Sequence, residues 1–423
     1  MKLKTILLIS PLILSLFFIS AFAQQQPDDY LYDEVIGQYS EDQPKILESD
    51  FVVESFVSGL EWPTTMTFLK NDLLILEKNN GHVRYVSQDG ELFPEPVLDV
   101  SVSNYLERGL LGITSNDPFV YLFYTESKSD GGDPIGNNVY KYTWSDKKLK
   151  NPILLKSLPS YPDAVMHQGG VLVIDQNNTV FAIIGDQDNQ DLDRGANILQ
   201  NQLGLPDDTG VIIPVEPPGP YHAIGIRNSF GLAIDPVTGN MWQTENGPTR
   251  YDELNIVKSK FNGGWNAHSG PIEQSIINLV DVPSFFGVIK SHIQLFVSGI
   301  YGFFVLDEIY VYTDPVFSWE KTISPTGLNF APSAFGKYEN WLFVGDCNFG
   351  NIYKFELNSE RNGVIFSEEK LKDLMLNIDD PSEELVFAKG FGCITDIEFN
   401  DYSMYVTSLS HGTVYKIFLK GQD

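Results

Sequence analysis

The chain has 423 residues, and its 13% aromatic content, 35 glycines and 24 prolines suit a large core built from many short strands and turns. Lys and Arg total 28 against 56 Asp and Glu, a formal charge of −28. That surface repels phosphate backbones, and no basic cluster interrupts it, which excludes nucleic-acid binding.

The N-terminus reads as a targeting signal over residues 1–23. Lys2 and Lys4 form a positive start, Ile6 to Phe22 is almost wholly apolar, and Ala21-Phe22-Ala23 offers small residues for cleavage. The alternative is an uncleaved segment serving as a membrane tether. Both place the remainder outside the cytoplasm. Cleavage would remove two lysines and no acids, moving the charge from −28 to −30. Residues 24–49 are polar and acidic, with Gln24, Gln25, Gln26, Asp28, Asp29, Asp33 and Glu34, and read as a flexible tether.

From about residue 50 a repeat begins: apolar strand, polar turn, second strand, glycine, third strand. It is clearest in WPTTMTFLKNDLLILEKNNGHVRYV at 62–86 and recurs from Gly109, Gly169, Asn228, Pro325 and Cys393. One such unit cannot bury both faces of its sheet, whereas six arranged radially can, so the chain is all-β and a six-bladed β-propeller over 50–423. A β-sandwich pair is the alternative, and the regular spacing argues against it. The strand at Phe51–Val57 precedes the first full unit and is expected to complete the last blade. Residues 186–220 and 270–318 break the rhythm; they read as long loops at the channel mouth, the second falling between units four and five.

The two cysteines, Cys347 and Cys393, invite a disulfide in an exported protein; two buried free thiols are the alternative. Asn177-Asn178-Thr179 is a glycosylation sequon or a plain hairpin turn.

The segment from Ile224 to Trp265 is the richest in chemistry-bearing residues. It contains Arg227, Asn228, Gly231, Leu232 and Ala233, then Glu245, Gly247 and Pro248, then Asp252, Glu253 and Asn255, then Gly264 and Trp265. In this order and spacing they resemble the motifs of the glucose/sorbosone dehydrogenase family, with Ser229 and Phe230 in place of that family's Pro and Gln. GLLGI at 109–113, HQGG at 167–170, IIGD at 183–186 and SPTGLNF at 324–330 fall in register with further family motifs, so the resemblance spans about 50–420.

The resemblance implies a calcium- and pyrroloquinoline-quinone-dependent oxidation of a sugar or related alcohol, with electrons leaving to an external acceptor. His167 matches the base, Asp186 the carboxylate that orients it, and Arg227 the cation that polarises the quinone. Asn228 matches a cofactor-binding amide. Gly247 and Pro248 match the residues whose carbonyls hold calcium. Asp252 and Glu253 either bind a second cation or cap a turn, and Trp319 either lines the substrate cleft or packs. Read without the family, His167 before two glycines is equally a structural histidine, and Arg227 equally a salt bridge across the channel.

The sequence departs from the family where cations grip the quinone's carboxylates. Asn348 stands at the family's lysine, Cys393 and Thr395 stand at its two arginines, and Asp72 falls on its early glutamine. Three lost charge-assisted contacts are worth roughly 1.5–3 kcal/mol each. Lys290 and His292 are the evident replacements in the 270–318 loop. In the family fold Cys347 and Cys393 come from neighbouring blades at one end of the cofactor site, which implies a Cys347–Cys393 bond. Two other functions stay open: a non-catalytic calcium-binding propeller that takes a glycan or protein partner, and a calcium-dependent lactonase-type hydrolase.

Overall fold

The computed structural model describes residues 43–187, 208–265, 268–272 and 310–421. The signal at 1–23, most of the tether and the Lys290 and His292 positions lie outside them. All the described residues belong to one compact unit, 39–423.

Six sheets form, one per repeat. Blade one is Pro63–Leu69, Asp72–Glu77, His82–Val86 and Leu98–Asp99; blade two is Leu110–Asn116, Phe119–Ser127, Pro134–Ser145 and Lys148–Leu158. Blade three has Leu172–Ile174, Val180–Ile184, Val211–Glu216 and Ala223–Ile224, extended by Phe261–Asn262 and Val311–Tyr312 in parallel. Blade four has Gly231–Ile234, Met241–Glu245, Arg250–Val257 and Phe317–Lys321, with Met375–Leu376 beyond. Blade five has Pro325–Phe330, Leu342–Asp346, Ile352–Leu357 and Val386–Lys389; blade six has Ile394–Asn400, Ser403–Ser408 and Thr413–Leu419. The first strand of each blade touches the first strands of both neighbours in cyclic order, and that of blade six touches that of blade one. The result is a closed six-bladed β-propeller.

The ring closes as the sequence suggests. Phe51–Ser58 pairs antiparallel with Thr413–Leu419, running from Phe51 opposite Leu419 to Ser58 opposite Thr413. Strands from both chain ends thus share blade six, and neither leaves an unpaired edge toward blade one. Because each blade is buried on both faces, its central strands are almost continuously apolar, and alternate side chains serve different interfaces. Met241 and Val257 face blade three, whereas Trp242, Leu254 and Ile256 face blade five. Each of the six blade interfaces holds its own buried apolar cluster.

Three segments differ from the sequence reading. Val211–Glu216, expected within a mouth loop, is the buried third strand of blade three and carries Pro214 at a register shift. The second long insertion falls inside blade four, between its third and fourth strands, rather than between units four and five. The expected tether gives way to structure before residue 50. Lys45–Ile46 pairs with Val386–Lys389 at the edge of blade five, and Glu48 bonds Lys354 at 2.5 Å and Lys337 at 2.9 Å.

Candidate functional site

In each blade, the turn joining strands two and three and the segment running from the fourth strand to the next blade lie on the same face of the ring. All the expected catalytic residues come from such segments. His167 follows blade two, Asp186 follows the second strand of blade three, and Arg227 and Asn228 precede blade four. Gly247 and Pro248 form the turn between the second and third strands of blade four.

Gly185 explains why the first three meet. A Cβ there would lie 2.3 Å from the His167 carbonyl oxygen and 2.8 Å from that of Arg227. The next two residues bond the two neighbours: the Asp186 N–H donates to the Arg227 carbonyl at 2.8 Å, and the Gln187 N–H to the His167 carbonyl at 3.3 Å. Only glycine lets the three backbones approach so closely.

The Asp186 carboxylate is buried and divided between two rings. Oδ1 lies 2.6 Å from His167 Nδ1, and Oδ2 accepts from the Trp265 indole N–H at 2.5 Å. A carboxylate on Nδ1 holds the proton there, which leaves Nε2 as the lone-pair nitrogen of the neutral ring. The Arg227 guanidinium stacks 5.3 Å from the centre of the Trp265 ring. It also donates through Nη1 to the carbonyls of Asn246 at 2.9 Å and Gly247 at 3.2 Å, and the Arg227 backbone N–H reaches Glu245 at 2.6 Å. His167, Asp186 and Arg227 therefore form one connected unit around Trp265.

The Asn228 amide donates to both oxygens of Glu107, at 3.3 and 3.2 Å, while its own oxygen is buried without a partner among the described residues. Glu107 was not singled out from sequence, although it stands two residues before the GLLGI motif. Lys78, also missed, is buried, and its ammonium donates to the carbonyls of Asn104, Leu106 and Arg108 at 3.2, 2.8 and 3.0 Å. Burial pulls Lys78 down to about 7, against the attraction of Glu107; burial likewise raises Glu107, against the pull of His167 and of its N–H donors.

Asp252 and Glu253 are adjacent on one strand and point to opposite faces of blade four. Asp252 accepts backbone N–H groups from Gly247 at 2.8 Å, Ile323 at 2.6 Å and Ser324 at 2.8 Å, tying blade four to the segment that enters blade five. Burial still pushes it up to about 6. Glu253 lies on the face toward blade three with Gln243, Glu245, Asn255 and Ser318, since Glu245 pairs with Glu253, Gln243 with Asn255, and Glu253 with Ser318. Gln243 bonds Glu245 and Asn255 bonds Glu253, each at 3.0 Å. The amide oxygens of Gln243 and Asn255 and the Ser318 hydroxyl are buried and have no partner among the described residues. Burial raises both carboxyls, and their mutual repulsion adds to this for Glu245. Two carboxylates and three idle neutral oxygens in one buried layer are hard donors of the kind calcium takes.

The residues expected at the carboxylate-gripping end are neutral and occupied. Asn348 donates to the Thr322 carbonyl at 3.3 Å, and Thr395 to that of Pro63 at 3.1 Å. Cys347 and Cys393 form a disulfide with Cα atoms 3.8 Å apart. Trp319 does not line a cleft: it is fully buried between blades four and five, 5.0 Å from the Phe317 ring and 5.6 Å from that of Tyr353. Asp72 sits in the hairpin between the first two strands of blade one, on the opposite face of the ring from His167.

The family model for glucose/sorbosone dehydrogenase matches residues 60–278, more than half the chain. Aldose sugar dehydrogenase YliI of Escherichia coli is 25% identical over 77% of this chain and 87% of its own. Quinoprotein glucose dehydrogenase B of Acinetobacter calcoaceticus is 28% identical over 46% and 45% respectively. The PQQ-bound aldose sugar dehydrogenase of Streptomyces coelicolor superposes with a TM-score of 0.60 at 17% identity, covering 90% of this chain and 99% of that one; this likeness bears on the fold alone.

Proposed function

The chain belongs to the glucose/sorbosone dehydrogenase family, and on that premise we propose that it is a calcium-dependent oxidoreductase that oxidises a hydroxyl of a sugar or related alcohol. The observation that supports this most is the unit formed by His167, Asp186, Trp265 and Arg227 on one face of the ring. His167 Nε2 takes the hydroxyl proton. Asp186 holds the ring's tautomer and offsets the positive charge that follows, while Trp265 keeps Asp186 aligned. Arg227 places a fixed cation where negative charge develops on the acceptor. Pyrroloquinoline quinone, when bound, supplies the two-electron hydride acceptor and passes its electrons to an external partner.

The residues fit the two family cofactors unequally. For calcium, Glu245 and Glu253 with the idle oxygens of Gln243, Asn255 and Ser318 supply a buried hard-donor set, and the Gly247 and Pro248 carbonyls lie in the adjoining turn. Asp252 is already engaged by three N–H groups and serves as a brace. For the quinone, the side around Arg227 and Asn228 fits, with the unpartnered Asn228 oxygen free for a ligand donor. On the other side the family's cation positions, Asn348, Cys393 and Thr395, are neutral, and the described cation beside them is Lys321, whose ammonium lies over the Phe349 ring at 4.3 Å. Lys78 and Arg108, the buried cations among the described residues, donate to backbone carbonyls, with Arg108 Nε left without a partner among the described residues. Quinone affinity is therefore weak, and this neutral end favours, as second reading, a calcium-bound propeller that recognises a ligand without turnover.

The Cys347–Cys393 bond fits an oxidising, extracytoplasmic compartment. Titrating the calcium-loaded protein with the quinone, followed by fluorescence and by sugar-dependent dye reduction, tests the assignment. Saturable binding with turnover supports the dehydrogenase. Calcium binding without quinone binding at millimolar concentration leaves the second reading.

A further inference from the structure

Glu107 joins three parts of the site that the sequence keeps far apart. Its carboxylate accepts the Gln168 backbone N–H at 3.2 Å and the Asn228 amide through both oxygens, at 3.3 and 3.2 Å. Each of these partners is a donor, which is the arrangement an ionised carboxylate takes.

The turn it grips is strained. His167 has φ 57°, in the left-handed region that side chains other than glycine avoid, and Gly169 and Gly170 follow at φ 63° and 109°. A left-handed residue costs roughly 1–2 kcal/mol, so its surroundings must hold it in place. The Gln168 N–H, which belongs to the peptide that follows His167, does so by donating to the Glu107 carboxylate.

Glu107 is itself clamped from both sides. The three carbonyls bound by Lys78 belong to the segment 104–108 that carries it, and its backbone N–H donates to the Val165 carbonyl at 3.2 Å. The Arg108 guanidinium gathers the carbonyls of Tyr161, Pro162 and Ala164 at 2.5, 3.1 and 2.8 Å. The segment before the GLLGI strand and the segment before His167 are thus fixed to each other, with the Glu107 carboxylate between them.

We propose that Glu107 is a positioning residue for the base. It locks the left-handed His167 peptide, holds Asn228 in the same frame, and places a second negative charge beside the imidazole in addition to that of Asp186. The charged groups around this pair are Asp186 on the ring, Lys78 behind Glu107, and Arg227 across Trp265. The role rests on His167 being the base. Its test does not need turnover, so a failure to bind quinone would leave it standing or falling by itself.

The experiment is an NMR titration of the His167 ring in the calcium-loaded, quinone-free protein, with amide exchange measured alongside. Glu107→Gln keeps the size and removes the charge; the midpoint of the His167 ring should fall by about one pH unit, the scale for losing one close opposite charge. Glu107→Asp keeps the charge and draws it back; the midpoint should stay near that of the parent protein while the Gln168 amide exchanges at least about tenfold faster. A midpoint unmoved in folded Glu107→Gln overturns the charge role. Parent-like exchange of the Gln168 amide in Glu107→Asp overturns the clamp, and this second variant decides the matter should the first not fold.

Discussion

Asp186 faces His167 with its carboxylate and Arg227 with its backbone N–H, so one residue sets the spacing between the imidazole and the guanidinium-bearing segment. Asp186→Asn keeps the backbone link and removes the charge that favours Nδ1–H. If the quinone-loaded protein turns over, this change should lower kcat by at least about a hundredfold, and His167→Ala by as much or more, the usual scale for a general base. The melting temperature of Asp186→Asn should change little. Retained kcat in His167→Ala would move the base elsewhere.

Calcium should stabilise the protein through the layer between blades three and four. Burial raises the cost of ionising Glu245 and Glu253, although each accepts two hydrogen bonds, and an ion that binds only the native state adds stability in proportion to the logarithm of its concentration. A chelator should therefore lower the melting temperature, and excess calcium should restore it. Glu253→Gln and Glu245→Gln should each weaken this response, whereas Asp252→Asn should destabilise without abolishing it. Differential scanning fluorimetry across a calcium series checks all three, and a response unchanged in both glutamine variants would locate the ion elsewhere.

The disulfide joins the turn after the second strand of blade five to the start of blade six, across a separation of 46 residues. Chain entropy alone assigns such a loop about 4 kcal/mol. Replacing both cysteines by serine should lower the urea midpoint accordingly while leaving calcium binding intact. Intact mass under non-reducing conditions should show no alkylatable thiol in the native protein.

Much of this was legible because it is local. Short apolar runs separated by polar turns marked the strands, including the one expected at Phe51–Val57 and found at Phe51–Ser58, and the spacing of six similar units implied the ring. Val211–Glu216 was hidden by its own Pro214 and by the proline-rich run behind it, features that usually demote a strand; the structure accommodates the proline at a register shift. Lys45–Ile46 is too short to show any period, and only its partner strand in blade five defines it. His167, Asp186 and Arg227 were singled out through motifs, and the structure brings them together. Glu107 and Lys78 were not, because their roles depend on backbone groups many residues away. Trp319 shows the reverse: placed near the cleft by resemblance, it is buried by the aromatic packing of Phe317, Tyr353 and Phe355.

Stability should fall as pH rises from about 5 to 8 at fixed, saturating calcium. The carboxyl of Asp346 is fully buried at the blade-five turn, and burial pushes it up to about 7 despite donors from Phe349, Gly350 and Asn351 at 2.5, 2.9 and 3.3 Å. Asp396 is raised in the same direction by burial, although the N–H groups of Met66 and Ile397 oppose it. An unfolded aspartate releases its proton near pH 4. Between that point and pH 7 the native state therefore holds protons that the unfolded chain has lost, and each step upward in pH favours unfolding. Above pH 7 both states are ionised and this contribution levels off. Melting temperatures measured between pH 5 and 8 should show the decline, and Asp346→Asn, which has no proton to lose at this position, should flatten it. A melting temperature that instead climbs from pH 5 to 8 would mean that Asp346 is already ionised at the acid end, with its three N–H donors outweighing its burial.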